Sequence, residues 1–361
     1  MGGQVSLRFG IVGTGMMGQE HIRNIALVDG ARVTALADPF APMLEAAGAL
    51  APDAARFDSA EALAASGACD AVVVASPNHT HRAVLEPLFE AGLHILCEKP
   101  LAHTPGDARA IAQRAAARPD RVFWTGMEYR FMPPARRFIA RIHAGETGRP
   151  VMLAMREHRF PFLVKVDNWN RWAANTGGTM VEKCCHFFDL MRHILRDEPV
   201  SLFCSGGHDV NHLDERYGDH VPDIIDNSFT VVDFAGGARA MLDLSMFADG
   251  AEHQEEFSVT GERARLDVRV PPGDIILYPR MGFVWPKAPV REHVPVDEAV
   301  LEAGHHHGAT FFQHLAFKAA VEGRGPVEVS AEDGWRAVAM GAAAELSARE
   351  RRVVKMAEFG L

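Results

Sequence analysis

Apolar positions along the chain follow two patterns in succession. Through residue 126, short runs that are apolar at nearly every position (7–12, 31–37, 70–75, 94–97, 122–126) alternate with stretches of helical period (19–28, 43–50, 60–65, about 81–91, 105–117). Runs without alternation suit strands buried on both faces, so the order predicts a doubly wound parallel sheet of the α/β class. Beyond Gly126 the rhythm changes. A helix is expected over 135–143 and a strand over 151–158. One continuous helix is expected over 179–191. Period-two segments at 227–234, 238–246, 255–261 and 264–270 read as antiparallel strands with one wet face. Helices over 310–321 and 331–349 close the chain. Two domains are expected, 1–126 and 127–361, the second of α+β type.

Length agrees, since 361 residues exceed what one core usually supports. Hydrophobic residues at 48% and charged residues at 23% are ordinary for a globular protein. A net charge of -10 without a basic stripe argues against a nucleic-acid partner. No run approaches the ~20 apolar residues of a membrane span, so no membrane partner is expected. Five cysteines without regular spacing suit a reducing, cytoplasmic setting, and the adjacent Cys184 and Cys185 read as helix-packing residues. Residues 1–6 match a myristoylation pattern, but strand one starting near Leu7 argues against lipidation.

Chemistry-bearing residues fall at the ends of the predicted strands. Gly13-Thr14-Gly15-Met16-Met17-Gly18 is a G-x-G-x-x-G loop between a strand and a helix, the context in which it cradles a pyrophosphate. Asp38 ends the second strand, where an acid bonds the ribose hydroxyls of NAD and repels the 2′-phosphate of NADP. NAD is therefore expected over NADP. Ser76-Pro77-Asn78-His79-Thr80-His81 follows another strand and should border the cofactor. His79 and His81 read equally as solvated residues of a helix start. Pro100 stops the strand before it and leaves Glu98 and Lys99 at its carboxyl end, where ligands of such sheets gather. The alternative is a solvated strand-end lysine.

In the second half, a polar, aromatic loop over 168–178 includes Trp172 and suits a polyhydroxylated ligand, or equally a lid with no direct contact. Glu182 and His186, four apart on the expected helix, would share a face as an acid–base pair, with Lys183 nearby. Tyr129, Arg130, Trp172, Lys183 and His305 are candidate substrate contacts. His305-His306-His307 lacks metal-ligand spacing, so no metal is expected.

Together, Gly13–Gly18, Ala37-Asp38-Pro39, Ser76–His81, Glu98-Lys99-Pro100-Leu101, and Gly177-Gly178 followed by His186 resemble the Gfo/Idh/MocA oxidoreductases, along essentially the whole chain. The resemblance implies an N-terminal Rossmann domain and a C-terminal domain with an open, mainly antiparallel sheet that also builds homodimer or homotetramer contacts. It implies a catalytic Lys99, often cis to Pro100, and His186 as proton acceptor or donor. Glu182 stands where the dehydrogenases of this family usually have Asp. The expected activity is NAD-dependent oxidation of a secondary hydroxyl of a sugar or cyclitol, or its reversal. Lys99 would bond the reacting oxygen, His186 move the proton and Glu182 orient the imidazole. Two alternatives are a redox-neutral glycosidase that retains NAD and a non-catalytic dinucleotide sensor. The joint presence of Lys99, Glu182 and His186 speaks against the sensor.

Overall fold

Six fully parallel strands form the first sheet of the computed structural model, which describes residues 6–361. The myristoylation pattern lies largely outside the described residues. The strands are β1 (Leu7–Val12), β2 (Ala31–Ala37), β3 (Ala55–Phe57), β4 (Ala71–Val74), β5 (His94–Glu98) and β6 (Phe123–Gly126), in the spatial order β3-β2-β1-β4-β5-β6. All four residues of β4 are buried, which explains why its sequence carries no alternation. Between β1 and β4 the strand order reverses, and the loops after these two strands border the crevice where such sheets bind ligands.

The first helix, Met16–Ala26, starts three residues earlier than its apolar period suggests. Met16 and Met17 form its opening turn, with Gly15 as N-cap. The short edge strand β3 carries too few residues for a period to be read and was not anticipated.

By compactness, residues 1–131 and 297–338 form one unit, and 132–296 with 339–361 form the other. The late helix Ala309–Val321 therefore belongs with the parallel sheet. Its Phe317 packs on Phe9 of β1 (ring centroids 6.0 Å apart) and on Trp124 of β6 (6.1 Å).

The second unit is built on nine strands in the order β14-β13-β12-β11-β7-β10-β9-β8-β15. These are β7 (Pro150–His158), β8 (Pro199–Gly207), β9 (Asn227–Phe234), β10 (Arg239–Ser245), β11 (Glu255–Gly261), β12 (Ala264–Val270), β13 (Asp274–Pro279), β14 (Val290–His293) and β15 (Val354–Lys355). Every pairing is antiparallel except β7 with β10. Along β9 burial alternates strictly: Ser228, Thr230, Val232 and Phe234 face inward. Inside, Phe257 of β11 meets Phe138 and Phe187 at centroid distances of 6.5 and 6.2 Å.

The helix expected over 179–191 is two helices, Thr179–Glu182 and Cys185–Leu195. The Lys183 and Cys184 N–H groups both bond the Thr179 carbonyl, and the ladder restarts from the Cys184 carbonyl. Glu182 and His186 thus lie on opposite sides of this irregular turn, whose residues Lys183 and Cys184 keep right-handed helical dihedrals. Apolar period alone cannot reveal it, because residues on both sides of the break are buried.

Candidate active site

In the first unit the glycine loop is shaped by close approach. Gly13 has φ +88°, and a Cβ there would lie 2.4 Å from the Ser76 nitrogen. At Gly18 a Cβ would lie 2.1 Å from the Gly13 carbonyl oxygen. Gly15 differs: a Cβ there would meet nothing within 4 Å. The space that its absent side chain leaves is the space a pyrophosphate needs at the helix N-terminus.

Asp38 sits beside this loop. Its Oδ2 accepts the Thr14 N–H (2.7 Å) and hydroxyl (3.1 Å), and Oδ1 accepts the Phe40 N–H (2.8 Å). Across the crevice Asn78 is buried, and its Nδ2 has no hydrogen-bond partner among the described residues. An orphaned donor, a glycine cradle and a fixed carboxylate together fit a dinucleotide such as NAD.

His81 has a different place. Its ring nitrogens face the Ser76 and Leu101 carbonyls at 3.0 and 3.2 Å, tying the loop after β4 to the segment after Pro100. Burial pushes its imidazole below the ordinary value despite these bonds. His79 is exposed.

At the end of β5, Glu98 is buried and Lys99 half-buried, and the Lys99–Pro100 peptide is cis. Burial pushes the Glu98 carboxyl up, but the His21 hydrogen bond and the Lys99 charge outweigh it and hold it below the ordinary value. Nearby Glu128 is pushed up to about 7 by burial and the Glu98 charge. Two buried carboxyl groups driven apart in this way are a familiar arrangement of catalytic pockets.

Glu20 organises the histidine run. Its Oε1 meets His306 Nδ1 at 2.7 Å and accepts the Thr310 hydroxyl at 2.9 Å. Burial would raise the Glu20 carboxyl, yet the His306 bond and charge bring it down to about 2. His305 itself is exposed. Arg130 is a strut, donating to the Glu328 carbonyl (2.8 Å) and facing Asp333 (3.6 Å), and Tyr129 is buried.

In the second unit Glu182, Lys183 and His186 are all buried. Gly178, with φ +88°, opens the helix that bears Glu182, and a Cβ there would lie 2.2 Å from Glu345 Oε1. That oxygen accepts the Met180 N–H at 2.9 Å. Lys183 pairs with Glu157 of β7 at 2.9 Å, and Arg159 approaches the same carboxylate at 3.6 Å. Directly across the ladder, Glu255 is buried as well. Trp172 stacks edge-on against Tyr217 and His220, with centroids 5.4 and 6.2 Å apart. Among the described residues no cluster of ligands suits a metal ion.

Glu157, Glu20, His21, Glu128 and His314 were not singled out from sequence. A signal existed for Glu157: Leu153, Met155 and Glu157 share one face of β7, and the first two are apolar. Likewise, His314 lies between the buried Thr310 and Phe317 on a single helical stripe.

The segment 7–126 matches the model of an oxidoreductase family with an NAD-binding Rossmann fold, and 139–356 matches that family's C-terminal alpha/beta domain. Inositol 2-dehydrogenase 1 of Saccharopolyspora erythraea is 40% identical over 152 residues, 41% of this chain and 45% of that protein. The match therefore spans under half of that relative. Myo-inositol 2-dehydrogenase of Thermotoga maritima is 27% identical over 355 residues, 98% of this chain and 99% of its own. The solved scyllo-inositol dehydrogenase of Lactobacillus casei, with NAD(H) and scyllo-inositol, superposes with a TM-score of 0.79 at 20% identity, covering 98% of this chain and 99% of that one. At that identity it speaks to the fold alone.

The Lys183–Glu157 pair yields a stability prediction. Glu157→Ala strands a buried ammonium and should destabilise the protein by about 3–5 kcal/mol. Glu157→Leu combined with Lys183→Met should recover most of that loss. Urea denaturation of Glu157→Leu, Lys183→Met and the double variant measures the coupling. A loss below about 1 kcal/mol in Glu157→Ala would show that the pair is not a buried ion pair.

Proposed function

This chain belongs to the Gfo/Idh/MocA oxidoreductase family, and from that premise we propose that it is an NAD-dependent dehydrogenase of a secondary hydroxyl on a cyclitol or sugar. One observation carries the reading: a dinucleotide cradle and a half-buried lysine lie at the carboxyl ends of the same parallel sheet, with a buried carboxylate beside the lysine. The names of the full-length relatives make inositols the first substrates to try.

Residues 13–18 and Asn78 would hold the phosphates and Asp38 the ribose of NAD. Bound there, the nicotinamide supplies the hydride acceptor for alcohol oxidation. Lys99 donates a hydrogen bond to the reacting oxygen and stabilises the negative charge that develops on it. His186 takes the hydroxyl proton, as an imidazole titrating near neutrality can. Glu182 orients that ring. Lys183 lies next to it in sequence but is neutralised by Glu157, which suits it to binding a substrate hydroxyl rather than to moving the proton.

A second copy of the chain is the partner this reading includes, as a homodimer or homotetramer. On the outer face of the nine-stranded sheet Phe203, Val231 and Met241 lie side by side across β8, β9 and β10, at 40%, 47% and 37% exposure. Phe229, two residues from Val231, is 62% exposed. Contiguous apolar exposure of this kind marks an interface. The five cysteines are buried thiols, which suits the cytoplasm, and no helix among the described residues is long and apolar enough to cross a membrane.

Three measurements test this reading. Calorimetry should find NAD⁺ binding more tightly than NADP⁺, with Asp38→Ala narrowing the gap; equal affinities in the parent protein overturn the cofactor assignment. In a screen of inositols and sugars followed by NADH absorbance, Lys99→Ala should lower kcat by about a hundredfold or more. His186→Ala should lower it by about 10²–10⁴-fold and abolish the rise of rate with pH near neutrality. Near-normal turnover in either variant removes that residue from the mechanism. Sedimentation should find a dimer or tetramer that Val231→Glu weakens, whereas a monomeric parent protein would refute the interface.

A further inference from the structure

A line of buried side chains in the first unit ends at Lys99. His314 Nε2, on helix Ala309–Val321, lies 2.8 Å from Nδ1 of His21 on the first helix. His21 Nε2 lies 3.0 Å from Glu98 Oε1, and Glu98 Oε2 accepts the backbone N–H of Lys99 at 3.1 Å. His21 is fully buried, with His314 at 1% and Glu98 at 5% exposure. We propose that His21 and His314 are positioning residues: together they pin Glu98 as a charged carboxylate beside Lys99, so that the lysine stays protonated and aimed as the donor to the reacting oxygen. This inference rests on the reading of Lys99 given above.

The direction of the chain follows from one unsatisfied atom. His314 Nδ1 is buried and has no hydrogen-bond partner among the described residues. Burial holds this imidazole well below its ordinary value, so the ring is neutral and carries one N–H. A buried, unbonded N–H is costly, so the proton is assigned to Nε2, where it has an acceptor. His314 therefore donates to His21 Nδ1, which leaves His21 to donate from Nε2 to Glu98. Every bond in the line points toward the carboxylate. Because the line stops at a buried bare nitrogen, it has no exit for a proton and serves to fix charge rather than to carry it.

Other features are built for the same end. A Cβ at Gly126 of β6 would lie 2.9 Å from Glu98 Oε1, so glycine makes the room in which that oxygen sits. The groups that face Glu98 are His21, Lys99, His306, Glu128, Cys97 and His81. Of the two acids, Glu98 holds the charge because it has the His21 N–H, while Glu128 is driven toward its neutral form. The helix that carries His21 also opens on the glycine loop, so cofactor cradle and lysine are braced by one element.

The test compares His21→Leu, His21→Gln and His314→Leu in the full chain. The Lys99 ammonium is titrated by carbon-13 NMR after reductive methylation, with Lys99→Arg assigning the signal. Without the His21 N–H the burial cost on Glu98 is uncompensated, so its carboxyl takes up a proton at higher pH than before. With that carboxylate no longer held beside the lysine, Lys99 in His21→Leu should titrate at least about one pH unit lower. Turnover should fall about tenfold with KM for NAD⁺ nearly unchanged, and its acid limb should move to higher pH. His21→Gln, whose amide nitrogen reaches the Nε2 position, should restore most of this. His314→Leu should shift Lys99 in the same direction by less, and with His21→Gln it decides the matter should His21→Leu not fold. An unchanged Lys99 titration in the folded Leu variants overturns the inference. A shifted Lys99 together with normal turnover in Lys99→Ala leaves the positioning role standing and removes the catalytic reading of the lysine.

Discussion

A parallel sheet buried on both faces leaves polar chemistry only at the strand ends, and that constraint organises the first half of this protein. β4 is buried at all four positions and β5 is buried from its second residue to its last, so neither strand can spare a side for a ligand. The chain must turn outward at Gly13, Asp38, Ser76 and Lys99, and there its hydrogen-bonding groups become available. Glycine at 13 and 18 brings the first of these turns against its neighbours. At 15 it leaves room for a ligand instead.

The same sheet forces charges inward, and each is answered by a specific partner. Glu20 is held by His306 and Thr310, and Glu98 by His21 and the Lys99 N–H. In the second unit Glu157 is answered by Lys183 and Arg159. Buried ion pairs contribute little net stability compared with apolar residues of similar size, so such groups are poor material for a core built for stability alone. Their concentration around Lys99 and around Lys183 follows from a demand for fixed charge at two places. Glu128 is the telling exception. Burial first, and the neighbouring Glu98 charge second, drive it toward neutrality.

Sequence and structure part company where local pattern and tertiary packing disagree. The period over 179–191 is fully helical in apolar content, yet the regular hydrogen-bond ladder is interrupted at Lys183 and Cys184. Edge strands β3, β14 and β15 are too short to show a period, and β8 and β13 lie outside the period-two segments. Arg130, a candidate substrate contact by sequence, is bonded to carbonyl and carboxylate partners from residues 328–333. These partners are about two hundred residues away along the chain, beyond the reach of any periodicity.

By itself the sequence determined the parallel sheet, the glycine loop with Asp38 one strand away, and the lysine at the end of β5. Each depends on residues close together along the chain: a buried run, a turn that only glycine allows, a proline that ends a strand. Tertiary structure alone decided that the late helix Ala309–Val321 packs on the first sheet, that the His306 ring meets Glu20, and that His314 and His21 line up behind Glu98. It also decided that Lys183 is answered by Glu157. The physical reason is the same in each case. A buried polar group must find its partner wherever the fold brings one, and that partner is chosen by proximity in space, which leaves no period in the sequence.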